Sequence, residues 1–260
     1  MDLWIDSDNA LGSPRGDVDD AYAIAALIRG GAPIAALSSC FGNTTESLAL
    51  TNHKQLASAL KWSGRVVGAS EARHALADFR GRIVALGPWT NLVEARQAAE
   101  VMVVGGNSSS AGRWPPLWPF EFNLTHDRAA ARALFRSELP LTLFPLNVAR
   151  QLWATVADVD LLQGPAGEFL RSSSTRWFRH LRRVRLTGRF PVYDLAAAMY
   201  ALGEQGFVFE ETTAVMRENT LMEFNRGTRP VKVCATLDRR AVWDRFVTIF
   251  NGAGAHGTSS

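Results

Sequence analysis

The sequence predicts an α/β fold: a single domain with a mainly parallel central sheet and helices on both faces, Rossmann-like in plan. Three observations predict it. Short apolar runs alternate with helical stretches along most of the chain. The polar residues with chemical potential follow the strand-like runs, where open parallel sheets bind their ligands. The length of 260 residues, 47% hydrophobic and 20% charged, fits one large core and excludes global disorder.

Leu3-Trp4-Ile5 is a short strand that delivers Asp6 and Asp8 at its end. Residues 20–29 read as a helix, with Ala21, Ile24, Ala25 and Ile28 at helical spacing. Residues 33–39 form a buried strand, and 45–60 a helix capped at Thr44 or Thr45. Strands follow at 65–67 and 83–86, a helix at 91–99, and a strand at 101–104 that ends in Gly105-Gly106. The alternation then stops over 107–120, a Ser-, Gly-, Pro- and Trp-rich stretch whose length marks it as functional or disordered. It resumes with a helix at 127–137, a strand at 141–146 and a helix after Val156. An Ala-rich helix at 193–202, strands at 207–216 and 231–237, and a helix at 239–250 complete the series. The expected division is a domain over 1–250 and a Gly/Ser-rich flexible tail over 251–260.

The net charge of +3 is small, and the basic excess comes from Arg; the lysines are Lys54, Lys61 and Lys232. Near-balanced charge without a recognition motif argues against nucleic acid as a partner. Cys40 and Cys234 have neither disulfide-scaffold nor zinc-ligand spacing, which suits a cytoplasmic chain. No basic segment followed by an apolar one precedes Leu3, and no apolar run approaches the ~20 residues of a membrane span, so neither a signal peptide nor a membrane anchor is expected.

The strongest chemical signal is Asp6-Ser-Asp8-Asn-Ala-Leu-Gly-Ser-Pro-Arg-Gly-Asp17-Val-Asp19-Asp20-Ala. So many carboxylates at a strand–loop–helix junction repel one another and cannot all ionise cheaply without a cation. Oxygen-only ligands favour calcium or magnesium over zinc. Asp17 or Asp19 taken singly also fits an ordinary acidic helix start.

Asp6-x-Asp8 followed by Asp17-Val-Asp19-Asp20-Ala resembles the signature of the nucleoside hydrolases, the inosine-uridine preferring ribohydrolases. Further motifs resemble that family in order: Phe41-Gly42-Asn43, Gly87-Pro88-Trp89-Thr90-Asn91, Val104-Gly105-Gly106, Glu121-Phe122-Asn123 with Asp127, Leu146-Asn147-Val148, and Val192-Tyr193-Asp194-Leu195-Ala196. The resemblance runs from residue 3 to about residue 250 and implies a fold of the nucleoside hydrolase type. It implies calcium held by Asp8, Asp20, the main-chain carbonyl of Thr90, and Asp194, with Asp8 also the general base. It implies that Asp19, Asn43, Glu121 and Asn123 hold the ribose of a small nucleoside-like substrate. A homodimer or homotetramer and a role in purine or pyrimidine salvage are further implications.

Five departures from the family pattern stand out. The loop from Asp8 to Asp17 is long, the stretch from Val67 to Ile83 is short, the run from Trp114 to Pro119 lacks the Asn that often precedes the Glu-Phe-Asn triplet, Asn147 replaces a common Asp, and Tyr193 stands where some relatives carry a proton-donating His. Tyr193 is therefore the candidate leaving-group acid, or a packing residue. Trp118, with Trp114 and Phe120, is placed to stack on a base or to anchor its own loop. The basic stretch from Arg176 to Arg185 precedes the Tyr193-Asp194 motif, so it is either a solvated helix face or a border of the pocket where an Arg holds a substrate phosphate. Two alternatives stand beside the hydrolase reading: a non-catalytic ribose or nucleoside sensor on the same fold, and a magnesium-dependent phosphatase of haloacid-dehalogenase type with Asp6 as nucleophile.

Overall fold

The computed structural model describes residues 1–11, 13, 16–106, 121–184 and 188–252. The first strand, β1 (Leu3–Ser7), is buried along its whole length and leads to α1 (Asp19–Arg29). Then come β2 (Ile34–Ser39), α2 (Glu46–Ala59), β3 (Val66–Val67), α3 (Ala69–Leu76) and β4 (Arg82–Ala85). A 3-10 turn over Trp89–Glu94 precedes β5 (Glu100–Val104). After residue 120 the chain gives α4 (Phe122–His126), α5 (Arg128–Arg136), β6 (Leu141–Phe144), α6 (Leu146–Ala149), β7 (Trp153–Thr155), α7 (Val156–Asp160) and α8 (Gly164–Val184). The last elements are β8 (Arg189–Pro191), α9 (Leu195–Ala201), β9 (Phe207–Met216), β10 (Met222–Phe224), β11 (Arg229–Leu237) and α10 (Arg239–Gly252).

Nine strands form one sheet in the order β10-β9-β11-β6-β5-β4-β1-β2-β3, and β7 pairs with β8 in a separate ribbon. Among the described residues of this sheet, the pairs from β3 along to β11 are parallel, and β9 runs antiparallel to both β11 and β10. Strand alternation divides β1 between two cores. Leu3 and Ile5 face the layer that holds α1, α8, α9 and α10, whereas Trp4 faces the layer with α3, α5 and the 3-10 turn. Burial on both faces explains why the parallel strands read as continuous apolar runs.

The chain order reverses at β1, with β2 on one side and β4 on the other. A crevice opens at the carboxyl ends of strands at such a switch point. Asp8 follows β1 and the Gly87-Pro88 turn follows β4, so both stand at that crevice.

Three expectations are corrected. The helix expected at 91–99 is the 3-10 turn, which ends at Glu94. Trp89 is fully buried and Asn91 donates to Asp6 Oδ1 and to the Ser39 carbonyl, so tertiary anchoring holds a tight turn there. The strand expected to run to Leu146 ends at Phe144, and Leu146 begins α6. The helix expected from Tyr193 begins at Leu195, leaving Tyr193 and Asp194 on its lead-in turn. No helix among the described residues is long and apolar enough to cross a membrane.

Candidate active site

Asp8, at the end of β1, is fully buried. The backbone N–H of Asn43 donates to its Oδ2 at 2.5 Å. Two glycines make room for the carboxylate. A Cβ on Gly42 would lie 1.9 Å from Asp8 Oδ2, and one on Gly87 2.9 Å from Oδ1. Any side chain at Gly42 would displace the acid, and one at Gly87 would crowd it.

Asp19 and Asp20 open α1, where the helix dipole favours negative charge. Carboxylate oxygens of Asp17, Asp19 and Asp20 lie within 4.8 Å of one another. Ser7 Oγ donates to Asp20 Oδ1 at 2.5 Å. Asp194, just before α9, is buried and interacts electrostatically with Asp19, Asp20, Asp8 and Asp17. Five aspartates from three separate stretches thus meet at the switch-point crevice.

Lost water raises all five acids, and like charge adds to the rise in Asp8, Asp19, Asp20 and Asp194. Burial pushes the Asp20 carboxyl up to about 7, and neighbouring Asp17 adds to the rise. Burial raises Asp17 to about 6 against a hydrogen bond with Asp19. Asp8, Asp19 and Asp194 are held well above the ordinary range, by burial first and by neighbouring aspartates second. Asp8 Oδ1, Asp17 Oδ1, Asp19 Oδ1 and Asp20 Oδ2 are buried without a hydrogen-bond partner. Unpaired buried carboxylate oxygens are expensive, and a hard divalent cation is the group that this all-oxygen set fits.

A cavity of about 430 Å³ opens beside these acids. Asp17, Asp19 and Asp194 line one side; Trp177 and Leu181 of α8, with Leu146 and Pro191, line another. Glu121, Asn123, Asn43 and Tyr193 complete the lining. Glu121 caps α4, with Oε1 accepting from Asn123 N at 3.1 Å and Oε2 from Leu124 N at 2.5 Å. Burial still raises its carboxyl to about 7. Asn123 Nδ2 donates to the carbonyls of Leu86 at 2.8 Å and Val104 at 3.0 Å. Its amide nitrogen is thereby committed, and its carbonyl oxygen is the group that it offers a ligand.

Of the expected site residues, Asp19, Asn43, Glu121, Asn123, Tyr193 and Asp194 line the cavity, whereas Asp8 and Asp20 are buried and do not. Thr90 lies on the 3-10 turn, its hydroxyl donating to Asp127 Oδ2 at 2.9 Å, and it does not line the cavity. Trp118, with Trp114 and Phe120, lies outside the described residues. Asp6 is buried away from the cavity, accepting from Ser38 Oγ at 2.5 Å and Asn91 Nδ2 at 2.9 Å. It ties three elements together and is not presented as a phosphatase nucleophile would be. Of the two readings of the basic stretch, α8 does border the cavity, through Trp177 and Leu181. Trp177 escaped attention because it sits among arginines, although its i, i+4 spacing to Leu181 was a readable apolar stripe. Asp17, part of the acidic run in the sequence, lies with Asp19 and Asp20.

A model of the family described as "Inosine-uridine preferring nucleoside hydrolase" matches residues 69–244. A non-specific ribonucleoside hydrolase RihC of Escherichia coli O7:K1 (strain IAI39 / ExPEC) is 26% identical over 168 residues, covering 61% of this chain and 53% of the relative. A pyrimidine-specific ribonucleoside hydrolase RihB of Escherichia coli O17:K52:H18 (strain UMN026 / ExPEC) is 27% identical over 141 residues, covering 50% and 44%. The chain thus spans about half the length of the curated relatives it matches. Among solved structures, a plant nucleoside hydrolase, PpNRh1, superposes with TM-score 0.81 at 19% identity, covering 96% of this chain and 98% of that one. A purine-preferring ribonucleoside hydrolase from Gardnerella vaginalis gives TM-score 0.80 at 17% identity, covering 97% and 99%. These two likenesses establish a shared fold.

Proposed function

Since the chain belongs to the inosine-uridine preferring nucleoside hydrolase family, we propose that it hydrolyses the N-glycosidic bond of a ribonucleoside or related ribosyl compound, giving ribose and free base, with calcium as cofactor. One observation carries this reading: a single cavity joins a cluster of buried carboxylates with unpartnered oxygens to an apolar, Trp-bearing wall. Such a site has one end for a cation and a polyhydroxylated sugar, and another for a flat heterocycle.

Asp8, Asp20, Asp194 and the Thr90 carbonyl would hold the cation, and Asp17 adds a carboxylate to their neighbourhood. When bound, the cation acidifies a coordinated water. Asp8 accepts the proton of the attacking water. The water oxygen forms a bond to C1′ while the bond from C1′ to the base nitrogen breaks, and the base leaves with the electron pair and gains a proton. Asp19, Asn43, Glu121 and Asn123 hold the ribose hydroxyls. The surrounding carboxylates favour the positive charge that develops on the ribose ring. Tyr193 faces the same cavity and is the candidate proton donor to the base. Both cysteines are free and buried, in keeping with a cytoplasmic protein.

The test is a reducing-sugar assay against a panel of purine, pyrimidine and modified nucleosides, with calcium and with chelator. Ribose release that requires the cation is the expected result. Calcium binding with no ribose release from any member would replace the hydrolase with a nucleoside-binding protein.

A further inference from the structure

Two buried polar side chains, Ser7 and His53, form a connected series that ends on Asp20 and that the proposed reaction does not use. Ser7 Oγ donates to Asp20 Oδ1 at 2.5 Å, accepts from the backbone N–H of Asn9 at 3.1 Å, and lies 3.1 Å from His53 Nε2. His53 comes from α2, far along the chain, and like Ser7 is fully buried. The preceding residue of α2, Asn52, donates from Nδ2 to the carbonyl of Asn9 at 2.8 Å. Two consecutive residues of one helix therefore grip the turn that carries Asp8.

The hydroxyl's capacity fixes the direction of each bond. An alcohol has one proton and two lone pairs. With Asp20 ionised, as a cation ligand has to be, the proton goes to Asp20 and one lone pair takes the Asn9 N–H. The remaining lone pair can only meet another N–H, so His53 carries its proton on Nε2. Burial lowers the imidazolium to about 3, which keeps the ring neutral and able to hold that tautomer. The other ring nitrogen, Nδ1, is buried and has no partner, so nothing on that side competes for the proton.

We propose that His53 is a positioning residue for the cation site: its Nε2–H holds the Ser7 hydroxyl proton on Asp20 Oδ1 and so leaves Asp20 Oδ2, buried without a partner, as the oxygen offered to the cation. This inference rests on the cation-dependent reading above. Without the His53 N–H, the Ser7 hydroxyl can rotate away, and Asp20 loses the bond that sets the plane of its carboxylate. Partners that orient a metal ligand typically change metal affinity by ~10–100-fold when removed.

Calcium titration calorimetry of the metal-free protein tests it on three variants. His53→Leu is expected to weaken calcium binding ~10–100-fold, while His53→Gln, whose amide also donates, stays within about threefold of native. Ser7→Ala is expected to match His53→Leu, and combining the two should weaken binding no further, because both break one series of bonds. Nitrogen NMR of the calcium-loaded native protein should find His53 as the Nε2–H tautomer, a reading that needs no variant to fold. A folded His53→Leu that binds calcium as tightly as native, fully additive losses in the double variant, or an Nδ1–H tautomer would each overturn the inference. If the native chain binds no divalent cation, the functional reading fails as well; if it binds calcium and His53→Leu binds equally, only the role of His53 falls.

Discussion

The backbone N–H of Asn43 donates to Asp8 Oδ2 at 2.5 Å while Asp8 Oδ1 is left buried without a partner. One oxygen is thus fixed by the loop after β2, and the other is left free of a hydrogen bond. Asp8→Asn keeps the shape and removes the base. It is expected to fold, to melt no lower than the metal-free native protein because one repelling charge is gone, and to lose ~10²–10⁴-fold in turnover. Steady-state kinetics beside a thermal melt will check it; turnover within a few-fold of native would show that Asp8 is not the base.

Gly42→Ala should disable the site through its shape alone. Its Cβ would intrude on Asp8 Oδ2, whereas a Cβ on Gly188 meets nothing within 4 Å. Calcium affinity and activity are expected to collapse in Gly42→Ala and to remain native in Gly188→Ala. Equal behaviour of the two variants in calorimetry would contradict the packing described around Asp8.

Stability should fall with rising pH in the metal-free protein. Asp17 and Asp20, raised from the ordinary 3.8 to about 6 and about 7, and Glu121, raised from 4.5 to about 7, bind protons more tightly folded than unfolded. Their stabilising contribution is present below about 4 and is lost as pH climbs to about 7. His53, lowered from 6.5 to about 3, acts in the opposite sense between those values, but it is one group against several. Calcium requires the ionised carboxylates, so the rise in melting temperature on adding it should grow from about pH 5 to about pH 8. A calcium-induced shift independent of pH would mean that these acids are not its ligands.

Trp177 supplies flat apolar surface to the cavity wall. Trp177→Ala is expected to raise KM for a nucleoside ~2–10-fold, the scale of one aromatic contact, with inhibition by free ribose unchanged. Parallel weakening of nucleoside and ribose would place Trp177 at the sugar, not the base.

A free phenol, at ~10, is a weaker acid than an imidazolium at ~6.5, so a Tyr in place of a His is expected to be a weak donor to a poor leaving group. A p-nitrophenyl riboside does not need that proton. Tyr193→Phe should cleave it within a few-fold of native. If inosine cleavage by the native protein is fast and collapses in Tyr193→Phe, the phenol is a true general acid.

Local pattern made much of this architecture legible. Phe207–Met216 and Arg239–Gly252 announce themselves by β-branched content and helical spacing, and the structure ends them at or near the expected residues. Asp8 and Asp20 share one acidic stretch that the sequence shows by itself, whereas Asp194 joins them only through the resemblance to the nucleoside hydrolases. The ribbon of Trp153–Thr155 with Arg189–Pro191 could not be read from the sequence. Each strand has three residues, too few for periodicity, and the ribbon is braced by Arg239 and Arg189 over the Trp153 ring, a contact between distant segments. The turn at Trp89–Glu94 was misread for a similar reason, since burial of Trp89 and the bonds of Asn91 outweigh helical spacing.

The cavity's two ends have separate ancestry in the chain. Its acids come from the start of α1, the lead-in to α4 and the turn before α9, whereas Trp177 and Leu181 hang from α8, outside the central sheet. On the proposed function, substitutions at Trp177 and Leu181 are expected to change which base is preferred and to leave the acidic end of the cavity as it is.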